Sequence, residues 1–185
     1  MKQAGNRGSI RRAFVRRPAS GQKGHPLKKR GWILFWGLAV LAIGAMIFFF
    51  SAQDAAESSE TSGFFTQWVI RLLRPDYDGL SRREKAALWQ QYQYFVRKGA
   101  HFAEFFLLGA ALRLLLHFFK LRWKSGWAWL AGTLYAAADE GHQMLVNARA
   151  GMWQDVCLDS AGVLAGVLAA LGILALRRRR REKEK

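Results

Sequence analysis

Three short stretches of this chain set ionisable side chains at helical spacing. The first holds Arg97, Lys98, His101 and Glu104; the second Tyr135, Asp139, Glu140, His142 and Gln143; the third Arg149, Asp155 and Asp159. At about 100° per residue, Arg97, His101 and Glu104 fall within a ~60° arc of one helix, with Lys98 beside it. Tyr135, Asp139, His142 and Gln143 share a second face, and Asp155 and Asp159 are an i,i+4 pair on a third. Ser51 and Gln53, which close a long apolar run, add two further polar groups.

These residue types suit proton transfer and anion binding. An imidazole titrates near neutrality, so His101 or His142 could act as general base, with Glu104, Asp139 or Glu140 orienting it or acting as acid. Arg97, Lys98 and Arg149 are anion contacts of the kind that hold a phosphate. Ser51, Gln53, Gln143, Asp155 and Asp159 complete a candidate ligand-binding set. A divalent metal on His101, Glu104, Asp139 and His142 is a weaker reading, because no compact zinc motif such as H-E-x-x-H occurs. No metal is therefore assigned, and no cofactor can be named. The competing account is structural. Arg97 and Arg149 would pair with Asp139, Glu140 or Asp155, and polar side chains would fasten membrane helices at about 1 kcal/mol each. Fewer charges than these would suffice to join four helices.

The elements that must position these residues emerge from the charge pattern. Residues 1–31 carry ten Lys/Arg and no acid, and residues 177–185 carry seven more against Glu182 and Glu184. These tails supply 15 of the net charge of +16, leaving the middle nearly neutral. Their neighbours are Gly, Ser, Pro and then an apolar run, which favours topology signals and contacts with anionic lipid headgroups over nucleic acid. Residues 1–31 lack hydrophobic periodicity and are expected to be disordered.

Trp32 to Phe50 is free of charge for 19 residues, about 28 Å as a helix against a hydrocarbon core of about 30 Å. That is longer than the apolar region of a signal peptide, so an uncleaved span is favoured. Between it and the next span, Phe64, Phe65, Trp68, Val69, Leu72 and Leu73 recur at helical spacing, which predicts an interfacial amphipathic helix. Pro75 and Gly79 end it, and Ser81 with Glu84 match a capping box that starts a new helix. The second span is expected at Lys98 to Phe119. A third starts near Trp127 and must continue past Asp139 and Glu140, since Trp127 to Ala138 covers only about 18 Å. A fourth runs from Val156 to Leu176, where Gly162 and Gly166 form a G-x-x-x-G suited to close packing. Cys157 reads as a small buried hydrophobe.

Basic tails and a basic 120–124 loop on one side require an even number of spans, and four satisfies this with both termini cytoplasmic. The chemistry-bearing residues then collect at the outer ends of the spans, whereas the inner halves read as Leu, Ala, Val, Phe and Gly. A charge at membrane depth costs several kcal/mol unless paired or hydrated, so the polar faces should turn toward one another and form a pocket that opens outward. The expected fold is all-α, a four-helix transmembrane bundle with an amphipathic segment between spans one and two.

With these residues in place, the chain resembles the VanZ-like family of bacterial membrane proteins over roughly residues 32–176. The resemblance lies in Ser51-Ala-Gln53 with Ser58, Ser59 and Ser62. It continues in Arg97-Lys98-Gly-Ala-His101-Phe-Ala-Glu104, like the family's R-K-x-x-H-F-x-E, and in Asp139-Glu140-Gly-His142-Gln143, like its D-E-x-H-Q. Arg149, Asp155, Gly162 and Gly166 complete it. Family members often place Asn where this chain has Asp159. Three regions are expected: a basic cytoplasmic tail at 1–31, a four-span membrane domain at 32–176 that carries the resemblance, and a second basic cytoplasmic tail at 177–185. The resemblance implies location in the bacterial cytoplasmic membrane, and the family's namesake is associated with low-level resistance to the glycopeptide teicoplanin. A cell-envelope lipid or cell-wall precursor would suit the pocket, alongside membrane lipids as general partners. No reaction follows from the resemblance. A non-catalytic accessory or scaffold protein is the main rival, and a small transporter ranks behind it because no polar path continues through the inner halves.

Overall fold

The computed structural model describes residues 26–53, 55–147 and 153–184. Arg149 and the N-terminal residues 1–25 lie outside the described residues. The described residues form five helices, α1 (Pro26–Ser51), α2 (Ala55–Leu73), α3 (Arg82–Leu116), α4 (Lys124–Asn147) and α5 (Trp153–Lys183), with one 3-10 turn at Tyr77–Gly79. Among the described residues there is no strand.

α1 starts six residues before the apolar run, at Pro26, and so draws Lys28, Lys29 and Arg30 into helix rather than leaving them in a disordered tail. Proline is well suited to a first helical position because its φ is already helical and its missing N–H has no partner to lose there. α3 begins at the predicted capping box. The Ser81 backbone N–H donates to Glu84 Oε2 at 2.9 Å, and the Glu84 N–H donates to Ser81 Oγ at 3.4 Å. The Ser81 hydroxyl holds the Glu84 carboxyl below its usual range. Just before it, Arg74 pairs with Asp76 at 2.8 Å and lowers that carboxyl as well.

α3 is the hub, and α1, α2, α4 and α5 all pack against it. The α2 contact uses Thr66 and Ile70, both fully buried, while Phe64, Phe65, Trp68 and Leu72 face away from the protein. The α3–α5 contact is the most extensive and depends on glycine. A Cβ at Gly162 would sit 2.7 Å from the Phe102 carbonyl oxygen, and one at Gly166 would collide with the Phe106 carbonyl oxygen. Gly109, on α3, meets the Val163 carbonyl in the same way. Backbone therefore lies on backbone, the packing that membrane helices use when apolar burial offers little drive. Ile47, Phe105, Leu108, Ala128, Ala136, Val163 and Val167 fill the centre.

Polar clamps tie α4 in place. Tyr135 Oη donates to the Gly44 carbonyl of α1 at 2.7 Å, and the Thr133 and Ser160 hydroxyls lie 2.8 Å apart across α4 and α5. Trp129 Nε1 also donates to Ser160 Oγ, at 3.1 Å.

Large side chains cover the outside: Leu41, Phe49 and Leu134 are 70%, 64% and 62% exposed. So much outward apolar surface is matched by lipid rather than by water. Three helices, α1, α3 and α5, are long and apolar enough to cross a membrane. α4 has the length, at 24 residues, but its Trp, Gly and Tyr are only weakly apolar and its last third carries Asp139, Glu140, His142 and Gln143. Cys157 is exposed rather than buried. It stands on a different face of α5 from Asp159, Gly162 and Gly166, which are buried.

Candidate functional site

The stripe of α3 that meets α5 runs through Phe102, Phe106 and Gly109. Lys98, one turn before Phe102, extends that stripe toward the helix start, so it reaches α5. Its Nζ forms an ion pair with Asp155 Oδ1. Both side chains are about one quarter exposed, at 24% and 25%. The register of α3 on α5 thus makes Lys98 a partner of Asp155, and Arg149, expected near the same acids, lies outside the described residues. Arg97 sits about 100° around the helix and is half-buried.

One turn further along α5, Asp159 is 5% exposed, and its electrostatic neighbours are Asp139, Asp155, Glu140 and the Lys98 ammonium. The buried carboxylate is thus set directly above the Gly162 crossing, where α3 and α5 are too close for water-filled space between them. It is held between α4 and the ion pair.

Asp139 is also 5% exposed. Its Oδ2 accepts from Gln143 Nε2 at 3.0 Å, one turn later on α4. Ser51, at the end of α1 and 4% exposed, faces the same carboxylate. His142 is the other neighbour of Asp139 on α4. Its ring packs on Phe48 with centroids 4.5 Å apart and planes tilted by 37°, and its Nδ1 is buried without a hydrogen bond. On α3, His101 Nδ1 lies 4.0 Å from Glu104 Oε2, an ion-pair separation rather than a hydrogen bond. Glu104 in turn interacts with Asp139 across the α3–α4 contact.

The end of α1, the first half of α3, the later half of α4 and the start of α5 therefore bring together Ser51, Lys98, His101, Glu104, Asp139, His142, Gln143, Asp155 and Asp159. Gln53 and Glu140 are half-buried at the rim, and Arg149 lies outside the described residues. Among the described residues, no three His, Cys, Asp or Glu side chains converge closely enough for a metal ion. The four residues considered for one separate into His101 with Glu104 and Asp139 with His142.

Such a site can bind a polar ligand group at His142 Nδ1, bind an anionic group near Lys98, and exchange a proton at either imidazole. Phe48 belongs to the site through its stacking on His142, although three consecutive phenylalanines in the sequence give no hint of which one turns inward. Arg113 is a second omission. It lies in an inner half read as apolar, yet it is 8% exposed and donates to Ser125 Oγ at 3.0 Å.

No curated protein and no solved structure is detectably similar to this chain. The VanZ/LLP1 family profile matches residues 35–176, a stretch that takes in most of α1, all of α2, α3 and α4, and α5 as far as its basic end. On that match, with three helices able to cross a membrane and the polar residues of its motifs gathered at one level, the chain is a helical membrane protein of the VanZ/LLP1 family.

Proposed function

We propose that this protein crosses the bacterial cytoplasmic membrane four times, through α1, α3, α4 and α5. Both termini are cytoplasmic, and the polar site binds or modifies a cell-envelope lipid or cell-wall precursor at the outer leaflet. The basic termini and the Lys120–Lys124 loop support that orientation, since cytoplasmic flanks favour Lys and Arg. α4 crosses because its polar third is turned inward onto Glu104, Ser51 and Asp159 rather than toward lipid. In keeping with the family resemblance, the process affected is sensitivity to teicoplanin.

The observation that carries this reading is His142 Nδ1, buried beside Asp139 with no hydrogen-bond partner. Buried polar groups that serve only architecture find partners, because leaving one unmade costs about 1–3 kcal/mol. Acceptors left open inside a protein are instead where a ligand hydroxyl, amine or water belongs. The Lys98–Asp155 pair and the Tyr135–Gly44 bond favour the rival reading, a scaffold whose polar residues only fasten helices, but they do not account for the open His142 nitrogen.

The test is Asp139→Asn, which keeps size and the Gln143 contact but removes the charge. Membrane levels and detergent melting temperature should stay near wild type, while the ability to restore teicoplanin tolerance to a deletion strain should fall at least about tenfold, the loss of one charge-assisted contact. Parallel loss of folding and function in Asp139→Asn, Glu140→Gln and His142→Ala would instead establish the scaffold.

A further inference from the structure

A second site lies at the other end of the molecule, away from the polar residues described above. Between the start of α1, the end of α3 and the basic end of α5 there is a cavity of about 960 Å³. One wall is apolar and comes from Trp32, Trp36 and Leu174; the other is cationic and comes from Arg113, Arg177 and Arg181. Arg177 and Arg181 are one turn apart on α5, so both guanidinium groups stand on the same face.

Arg113 is the decisive residue. Its side chain is 8% exposed, and its Nε is used on Ser125 Oγ at 3.0 Å, yet its Nη1 is buried with no hydrogen-bond partner. No described acid forms an ion pair with it. Glu182 lines the same cavity but pairs with Arg178 at 3.0 Å. A buried guanidinium without a counter-charge is costly, and planar donors of this kind match phosphate oxygens. The chain cannot supply the missing anion from its own N-terminal segment, since residues 1–31 hold ten Lys/Arg and no acid.

We infer that this cavity is a specific site for the phosphate group of an anionic membrane lipid, with Arg113 as the buried anchor, Arg177 and Arg181 at the rim, and the tryptophan wall receiving the acyl chain. The apolar wall is what distinguishes a lipid from a free phosphate, because an inorganic anion gains nothing from Trp32 and Trp36. The site is distinct from a diffuse attraction of the basic tail to the membrane surface, which would not distinguish one arginine of the run from another. It does not rest on the outward-facing site or on teicoplanin.

The experiment is native mass spectrometry of the full chain in detergent, titrated with phosphatidylglycerol or with phosphatidylcholine. Arg113→Gln and the double variant R177Q/R181Q are compared with R179Q/R180Q, which removes two charges from the same run at positions that do not line the cavity. Wild type should prefer phosphatidylglycerol. Arg113→Gln and R177Q/R181Q should each weaken it about tenfold, and R179Q/R180Q by no more than about twofold. If Arg113→Gln fails to fold, the charge-matched pair of double variants still decides. Equal weakening by the two double variants would overturn the site and leave only a general charge effect. Displacement of phosphatidylglycerol by inorganic phosphate would overturn the lipid assignment in favour of a free-anion site.

Discussion

At the scale of single residues, the Lys98–Asp155 pair shows how a helix register chooses partners. Lys98 lies on the same stripe as Phe102 and Gly109, and that stripe is pressed onto α5. Because both partners are largely withdrawn from water, removing one leaves the other poorly solvated. Lys98→Met and Asp155→Asn should each lower stability by about 1–3 kcal/mol. The double variant should recover part of this, giving a coupling of about 1 kcal/mol in thermal unfolding in detergent. Additive losses would mean that the two groups act independently. The candidate residues themselves were legible from type and spacing, including the Asp139–Gln143 contact at i,i+4. What spacing could not give was the cross-helix pairing, since Arg97, Lys98 and Arg149 are equivalent cations until α3 is set against α5.

At the scale of elements, the glycines of α5 separate into two kinds. Gly166 is covered by the Phe106 carbonyl, whereas a Cβ at Gly172 meets nothing within 4 Å. Gly166→Ala should therefore cost about 1–3 kcal/mol, because the obstacle is backbone and cannot swing aside. Gly172→Ala should be neutral or stabilise by up to about 1 kcal/mol through helix propensity alone. Melting temperatures of the two variants would show the contrast. The start of α3 offers a second check. Ser81→Ala should cost about 1 kcal/mol, seen as faster hydrogen exchange in the first turn of α3. The Glu84 carboxyl is lowered by its bonds to Ser81. Its contribution is thus present above the ordinary carboxylate pKa and disappears as the pH falls through the depressed value. Acid should fray this turn in wild type and change little in Ser81→Ala. The capping box was readable because it is local; Gly109 was not, because a glycine within an apolar run shows its purpose only when Val163 is seen against it.

At the scale of the whole molecule, the two ends differ in kind: carboxylates, imidazoles and the Lys98–Asp155 ion pair at one end, arginines and tryptophans at the other. The four-span orientation predicts the outcome of reporter fusions. Alkaline phosphatase should be active when fused in the α2–α3 connector near Asp78 and inactive when fused after Lys124 or at the C-terminus. An active C-terminal fusion would require an odd number of crossings and would remove α4 from the membrane. α4 is the least apolar of the four helices proposed to cross, and its place depends on the clamps from Tyr135 and Thr133 together with the inward turn of Asp139 and Gln143.

The sequence by itself determined that this is a helical membrane protein, where its apolar runs lie, where α3 is capped, and which residues share a helix face. These features are set by length, composition and spacing along one chain, so no partner helix is needed to read them. Only the tertiary structure decided that Lys98 meets Asp155, that Phe48 stacks on His142, and that Asp159 is enclosed beside Asp139. It also decided that Arg113 is buried beside the basic end of α5 and that Cys157 is exposed. Each of these depends on the rotation and depth of one helix against another, which glycine-mediated contacts between backbones fix and which no periodicity within a single helix encodes.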